Sequence, residues 1–128
     1  MDKLRKEYPD IAPTGPTHVR AVRYGDLMFM SGVTALGTSA YGKSIVEQAG
    51  AALSKIKNIL GKENASMDDI VKLTTYVTNV EDYREFEEQI NNVWAEAFNG
   101  EYPANSLIGV AALAHEGLSI EIEAIVGF

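Results

Sequence analysis

Carboxylates and two histidines are the side chains of this sequence best suited to proton transfer or metal binding. The 128 residues include no cysteine, which excludes thiolate nucleophiles, disulfide scaffolds and metal sites built from cysteine. The histidines, His18 and His115, do not form an H-E-x-x-H pattern, so nothing predicts a catalytic zinc site. His18 could titrate near pH 7 and donate a proton, or it could be a loop histidine bonded to the backbone. His115 falls in an expected hairpin turn, where we expect it to be solvated.

The charge balance argues against nucleic acid as a partner. Lysine and arginine number 11 and the acidic residues 18, for a net charge of -7, and such a surface repels phosphate backbones. The one dense basic group, at residues 3–6, is interleaved with acids and is interpreted as a solvated tail. The acidic run at residues 81–88 suits a helix start, where the macrodipole favours negative charge, and is not interpreted as a metal site.

Length and composition predict one globular domain over residues 1–128. Apolar residues make up 46% and charged residues 23% of the chain, as in ordinary soluble proteins. No apolar run approaches the roughly 20 residues that a membrane span needs, and residues 1–10 are too charged for a secretory signal. We therefore expect no membrane association and a cytoplasmic location, with which the lack of cysteine agrees.

The first third of the chain predicts an arm, a hairpin and a loop. Residues 1–17 carry three of the four prolines and are expected to form an irregular N-terminal arm. Apolar runs at residues 19–22 and 27–30 flank Gly25 and predict a hairpin. The small residues at 31–42 predict a loop.

Two amphipathic helices are expected. Ser44 and Glu47 have the spacing of a capping box, and a helical apolar stripe follows as far as Gly61, which should end the first helix. Asp82 is the expected N-cap of the second helix, which should end at Gly100. The buried stripe of the second helix is expected to comprise Tyr83, Phe86, Ile90, Val93, Trp94 and Ala97, with Phe98 also in the core.

Three further strands are expected at residues 70–78, 106–113 and 118–126. In the last strand the apolar residues share one face, while Glu121 and Glu123 lie on the other. The predicted order is β-β-α-β-α-β-β, an α+β fold with one mixed sheet and both helices on one sheet face. The opposite face is half polar, which favours a partner subunit in a symmetric homo-oligomer. We expect that face to carry Thr74, Tyr76, Ile108, Val110, Glu121, Glu123 and Ile125.

Four short strings resemble motifs of the YjgF/Rid family of reactive intermediate deaminases. They are GDLMFMSG at residues 25–32, MDDIVK with YVT at 67–78, YPANS at 102–106 and EIEAI at 121–125. The resemblance implies a chorismate-mutase-like fold and a homotrimer that binds a small molecule in three clefts between subunits. It also implies hydrolysis of 2-imino or enamine acids to 2-keto acids and ammonia, with no cofactor and no metal.

The resemblance assigns positions in that cleft. Glu121 matches the family's acid that orients water at the imine carbon, and Asn91 matches a cleft asparagine. Ser31 and Gly32 match the turn whose backbone lines the cleft, and Leu107 lies where a small or sulfur-containing residue is often found. Burial would raise the pKa of Glu121 toward neutrality and suit it to proton transfer. Alternatively, Glu121 is paired with a lysine or arginine at the subunit contact.

Two positions depart from the family pattern. Asn105 replaces the arginine that clamps the substrate carboxylate, and a neutral amide cannot form that bidentate contact. In the altered segment at residues 15–22, His18 falls at a tyrosine position and Arg20 at a glutamine position. Three interpretations stay open: His18 or Arg20 replaces the arginine, the substrate lacks that carboxylate, or the site no longer does chemistry. The function predicted is therefore a Rid-like hydrolase of a small imine or enamine, with a non-catalytic small-metabolite-binding trimer as the alternative.

Overall fold

Six strands form one mixed sheet in the computed structural model, which describes residues 1–128. The strands lie in the order β1-β2-β3-β6-β4-β5, and only β4 and β5 pair in parallel. Their bounds are β1 Lys3–Lys6, β2 Ala21–Tyr24, β3 Leu27–Val33, β4 Ile70–Val77, β5 Ala104–Gly109 and β6 Ile120–Gly127.

Three α-helices lie against one face of this sheet. They are α1 Ile45–Lys62, α2 Val80–Glu85 and α3 Glu87–Phe98, with a short 3₁₀ turn Met67–Asp69 before β4. The main core joins α1 and α3 to the central strands, and every second residue of β6 is buried in it. The predicted α+β fold, with a mixed sheet and the main helices on one face, is confirmed. None of these helices has the length and apolar character needed to cross a bilayer.

The start of the first helix is as predicted, and its end is slightly later. The Ser44 hydroxyl caps α1 by accepting a hydrogen bond from the Glu47 N–H at 3.2 Å. The helix passes Gly61 and ends at Lys62, and Asn64 then adopts a left-handed conformation with φ 56°. The prediction that Gly61 ends the helix was therefore wrong, because an asparagine makes the chain reversal instead.

The predictions for the N-terminal arm and for the second helix need correction. Lys3–Lys6 is strand β1, paired with β2; it is an exposed edge strand, so its side chains show no apolar alternation that predicts it. The second helix begins earlier, because Asn79 and not Asp82 is the N-cap: Oδ1 of Asn79 accepts from the Asp82 N–H at 3.1 Å. It is also divided into α2 and α3 at Phe86.

The loop before β6 is anchored to α1 by a buried amide. Gln48 is 1% exposed; its Nε2 donates to the carbonyl of Gly117 at 2.8 Å, and its Oε1 accepts from the Ser119 N–H at 2.9 Å. The strand predicted at 106–113 is in fact Ala104–Gly109. The following residues belong to this anchored loop, whose apolar composition resembles that of a strand.

The face of the sheet opposite the helices mixes polar and apolar side chains, as predicted. Tyr76 donates a hydrogen bond to the carboxylate of Glu123, while Phe29 and Ile108 are 44% and 41% exposed. Glu121 lies on the same face, two residues before Glu123 on β6. A cover for this face by another subunit stays a prediction.

Candidate functional site

Glu121 lies beside an irregular stretch of the neighbouring strand. Its side chain belongs to the half-buried set of β6, on the open face of the sheet. The pairing of β6 with β3 shifts register between Met30 and Val33, and Ser31 and Gly32 fall in that gap. Such irregularities re-aim side chains and interrupt regular pairing. The prediction that a loop begins at residue 31 was therefore wrong, because β3 continues to Val33 through this irregular stretch.

The absence of a side chain at Gly32 makes room for Glu121. A Cβ added to Gly32 would lie 2.6 Å from Cδ and 2.7 Å from Cγ of Glu121, and closer still to Oε2. Carbon atoms that are not bonded do not approach this closely without displacing one another. A glycine at position 32 is therefore what lets the carboxylate lie against the β3 backbone.

Arg20 fixes the backbone on which the carboxylate lies. Its side chain is 7% exposed. It donates three hydrogen bonds to carbonyl groups, from Nε to Ala12 at 3.0 Å, from Nη1 to Gly32 at 2.6 Å and from Nη2 to Pro13 at 3.0 Å. Its own carbonyl accepts from the Ser31 N–H at 2.8 Å. Arg20 thus ties the N-terminal arm to the Ser31–Gly32 stretch, and three of its five N–H donors are used.

The Glu121 carboxylate has no partner within the chain. No hydrogen bond or ion pair to it is formed. Burial raises its pKa above the usual range, and the nearby charge of Glu123 raises it further, while Arg20 and His18 oppose part of the shift. A carboxyl group with a raised pKa can take up and release a proton closer to neutral pH.

Both histidines of the chain line the same cavity as Glu121. The cavity holds about 360 Å³ and is also lined by Ser31 and Gly32. His18 comes from the arm and His115 from the loop between β5 and β6, and both are exposed. The solvated state expected for His115 fits this exposure, but its place beside the carboxylate cavity is not predicted by any sequence pattern.

Asn105 lines a different cavity, on the side of the sheet that the helices cover. Its Oδ1 accepts a hydrogen bond from Thr75 Oγ1 at 3.0 Å. Leu107 follows on the same side of β5, paired with Thr75, and is 42% exposed. The cavity holds about 380 Å³, and no charged side chain lines it; the lining residues are Tyr83, Ile90, Asn91, Trp94, Tyr102 and Asn105.

Comparison with known proteins identifies the family to which this chain belongs. The family model described as Endoribonuclease L-PSP matches residues 10–127. A crystal structure from Mycobacterium tuberculosis, described as a member of the YjgF/YER057c/UK114 family, is 34% identical with a TM-score of 0.73, covering 87% of this chain and 86% of that one. The chain belongs to the YjgF/Rid family. The family resemblance of the four sequence strings is thereby confirmed.

Two curated relatives in the YjgF/Rid family show how varied its members are. The 2-iminobutanoate/2-iminopropanoate deaminase of Dermatophagoides farinae is 31% identical over 119 residues, covering 89% of this chain and 87% of that protein. The protein MMF1, mitochondrial, of Saccharomyces cerevisiae is 31% identical over 114 residues, covering 87% and 73%. The family thus includes an imine deaminase and a mitochondrial protein.

The positions assigned from the YjgF/Rid family fall into two groups within one chain. No residue lines both cavities. Because Glu121 and Asn105 lie on opposite sides of the sheet, a single copy does not bring them together. The first group comprises His18, Ser31, Gly32 and Glu121; the second comprises Asn91 and Asn105, with Leu107 beside it.

Within one copy, neither residue considered as a replacement for the family's arginine lies at Asn105. His18 and Arg20 both line the Glu121 cavity and not the neutral one. Two contacts are not predicted by the sequence: Arg20 donates to the Gly32 carbonyl, and Thr75 donates to Asn105. Alternation along β4 predicts on which face Thr75 lies, but no pattern predicts the bond, which joins residues 30 apart in sequence.

Replacing Gly32 with alanine should displace the Glu121 side chain, because the new Cβ would overlap the carboxylate. Because the end of this half-buried side chain can move aside, we expect the free energy of unfolding to change by only about 1 kcal/mol or less in urea denaturation. A crystal structure of the variant should show the carboxylate moved away from β3. Gly50→Ala is the control for a methyl group without overlap, since nothing lies within 4 Å of its added Cβ. Because Gly50 lies inside α1, this variant should be more stable than the wild type by up to about 1 kcal/mol. A Gly32→Ala protein with an unmoved carboxylate would contradict the packing described.

Glu121→Gln should stabilise the protein in a pH-dependent way. A raised pKa means that the folded state holds its proton more tightly than the unfolded state, so ionisation costs stability as pH rises. The variant should match the wild type below about pH 4, near the unfolded pKa of glutamate. As the pH rises from there to the pKa of Glu121 in the folded state, the melting temperature of the variant should exceed that of the wild type by a growing margin. Glu101→Gln, at an exposed position, controls for net charge; an advantage that shrinks with rising pH would refute the shift.

Proposed function

We propose that this protein is a Rid-type hydrolase that converts a small reactive imine or enamine to a carbonyl compound and ammonia. The observation that carries the proposal is the unpaired, half-buried carboxylate of Glu121, whose pKa is raised beside a cavity. Membership of a family that includes a 2-iminobutanoate/2-iminopropanoate deaminase supports the same chemistry. No cofactor or metal is part of the proposal.

The reaction needs two proton transfers that one carboxyl group can make. In its ionised form Glu121 takes a proton from a water molecule as the water oxygen bonds to the imine carbon. The imine nitrogen gains a proton from solvent, which gives a tetrahedral amino alcohol. Protonated Glu121 then donates to the amine and the C–N bond breaks. The hydroxyl proton returns to solvent as the carbonyl forms. Water and imine are consumed, ammonia and carbonyl are released, and Glu121 returns to its first state.

The part of the substrate that faces Asn105 is proposed to be neutral. A carboxylate there would find no cation, since the lining side chains are uncharged and burial raises the pKa of the Tyr83 hydroxyl. The Oδ1 atom of Asn105 is already bonded to Thr75, so its amide N–H groups remain to donate to a substrate oxygen. A neutral carbonyl or hydroxyl group can accept from such donors without the desolvation cost of a charge that has no counter-charge.

The complete cleft is proposed to need two copies of the chain. One copy would supply Glu121, Ser31, Gly32 and His18, and the next would supply Asn91, Asn105 and Leu107. The half-polar open face, with exposed Phe29 and Ile108, supports contact between copies in a homotrimer. The proposed compartment is the cytoplasm, as expected from the sequence.

Glu121→Gln tests the catalytic assignment. The amide cannot accept the proton, so ammonia release from small imines generated in situ should fall about 100-fold or more, while the protein stays folded. Glu101→Gln is the control for lost charge at an exposed site. If Glu121→Gln keeps wild-type rates, the carboxylate is not the catalytic group. If no imine or enamine is hydrolysed by the wild type but small metabolites bind, the alternative of a non-catalytic binding trimer replaces this proposal.

Asn105→Arg tests the substrate assignment. Wild-type protein should act poorly on 2-iminopropanoate, and the guanidinium should raise kcat/KM on this anion about tenfold or more by a bidentate contact. Asn105→Lys, which adds charge without the planar fork, should give a smaller gain. A wild-type rate equal to that of arginine-bearing relatives, or no gain in the Asn105→Arg variant, would refute a neutral group at this position.

The mass of the protein in solution tests the proposed homotrimer. Light scattering after gel filtration should give a mass three times that of the 13.9 kDa chain, and it should persist at micromolar concentration. A monomer at these concentrations would separate the two groups of site residues permanently and would contradict the proposed cleft.

A further inference from the structure

A larger cavity adjoins the Glu121 cavity on the other side of Arg20. It holds about 600 Å³ and lies between the N-terminal arm, the end of β3 and α1. Arg20 and Gly32 line both cavities, but Ser54, Lys55 and Asn58 of α1 line only the larger one. Of the positions assigned from the family, only Gly32 lines this cavity, and none lies on α1. The function proposed above assigns no role to the α1 side of the cavity.

Lys55 is a half-buried cation without a counter-charge. Its Nζ donates to the carbonyl of Leu36 at 2.7 Å, and no carboxylate lies within ion-pair distance. Burial lowers the pKa of the Lys55 ammonium, and the positive charge of the neighbouring Arg20 lowers it further. One N–H of the ammonium is used, which leaves two free to donate.

Arg20 brings a second cation to the same cavity. Its three hydrogen bonds all go to neutral carbonyl groups, which leave two N–H donors free. The acids that act on Arg20 are Glu7 and Glu121, and neither lines this cavity. Asp10 is the one acid in the lining, and its side chain is exposed.

Lys55 and Arg20 line one cavity and are close enough for the charge of Arg20 to act on Lys55, in a chain whose net charge is -7. Partly buried charges of one sign repel each other and are stabilised by a counter-charge between them. We propose that the cavity between α1 and the N-terminal arm binds a small phosphate-bearing or carboxylate-bearing metabolite, held by Lys55 and Arg20. Ser54 and Asn58 add neutral donors at the exposed rim. The cavity, at about 600 Å³, has room for a molecule larger than inorganic phosphate.

Titration of anions into the full-length protein tests this site without any assay of catalysis. Inorganic phosphate, glycerol 3-phosphate and citrate are added at constant ionic strength, with sodium chloride as the blank, and binding is followed by melting temperature and calorimetry. At least one of the three should raise the melting temperature in a saturable way. Glycerol 3-phosphate binding more tightly than phosphate would identify a phosphorylated metabolite, and citrate binding best would identify a carboxylate. No saturable effect of any of the three overturns the proposal.

Lys55→Gln locates the binding. Loss of a charge-assisted contact should weaken the affinity about tenfold or more, whereas Lys55→Arg should retain it. Lys57→Gln removes the same charge from an exposed position of the same helix, outside this cavity, and should bind as the wild type does. Equal weakening in Lys55→Gln and Lys57→Gln would show a general charge effect and overturn the proposal. In the wild type, anion-induced changes in amide chemical shifts should centre on residues 34–38 and 54–58; changes centred on Glu121 instead would also overturn it.

Discussion

The contact between the Glu121 carboxylate and the bare backbone of Gly32 is the constraint on which the candidate site depends. It needs a residue without Cβ on β3, because any larger residue would overlap the carboxylate. It also needs the β3 backbone to be held in place, which Arg20 does by donating to the Gly32 carbonyl at 2.6 Å. Burial of the carboxylate raises its pKa, and the charge of Glu123 raises it further. The packing of this side chain against β3 thus bears on its acid–base chemistry.

The alternation of side chains along neighbouring strands explains why the site is divided. Glu121 is on the open face of β6, whereas Asn105 on β5 is bonded to Thr75, whose side chain is buried on the helix side. No rearrangement of side chains brings these two residues together, because the sheet itself lies between them. The polar side chains follow the same division: His18 and the cation Arg20 line one cavity, and uncharged residues line the other. A substrate bound across two copies would therefore meet its charged partners and its neutral partners at opposite ends.

The sequence predicts the parts of this structure that depend on local periodicity. The Ser44 cap and the alternation of β6 are where the pattern places them, because each reflects burial on one face of a regular element. Edge strand β1 is not predicted, since its ladder is formed by backbone atoms and its side chains are exposed. The N-cap at Asn79 is missed because Asp82 is chemically as good a cap, and only the turn geometry distinguishes them.

For the candidate site, the sequence predicts residue identities better than their arrangement. The family strings indicate Glu121, Gly32 and Asn105, but their division between two cavities depends on sheet register and on the unequal exposure of the two faces. The role of Arg20 depends on three carbonyl groups from distant parts of the chain, and no spacing pattern encodes such contacts. His115 enters the Glu121 cavity through a loop whose path is set by the buried amide of Gln48.

The most direct test of this account is the ionisation of Glu121 itself. Selective ¹³C labelling of glutamate carboxyl groups, with the Glu121 signal assigned by its loss in a Glu121→Gln protein, would give the pKa of this group from a pH titration. Ordinary glutamate has a midpoint of about 4.3. The midpoint of Glu121 is expected to lie clearly above it, because the carboxylate is half-buried and unpaired. A midpoint at or below that value would mean that the carboxylate is well solvated or paired with a cation, and the proposed acid–base role would be contradicted.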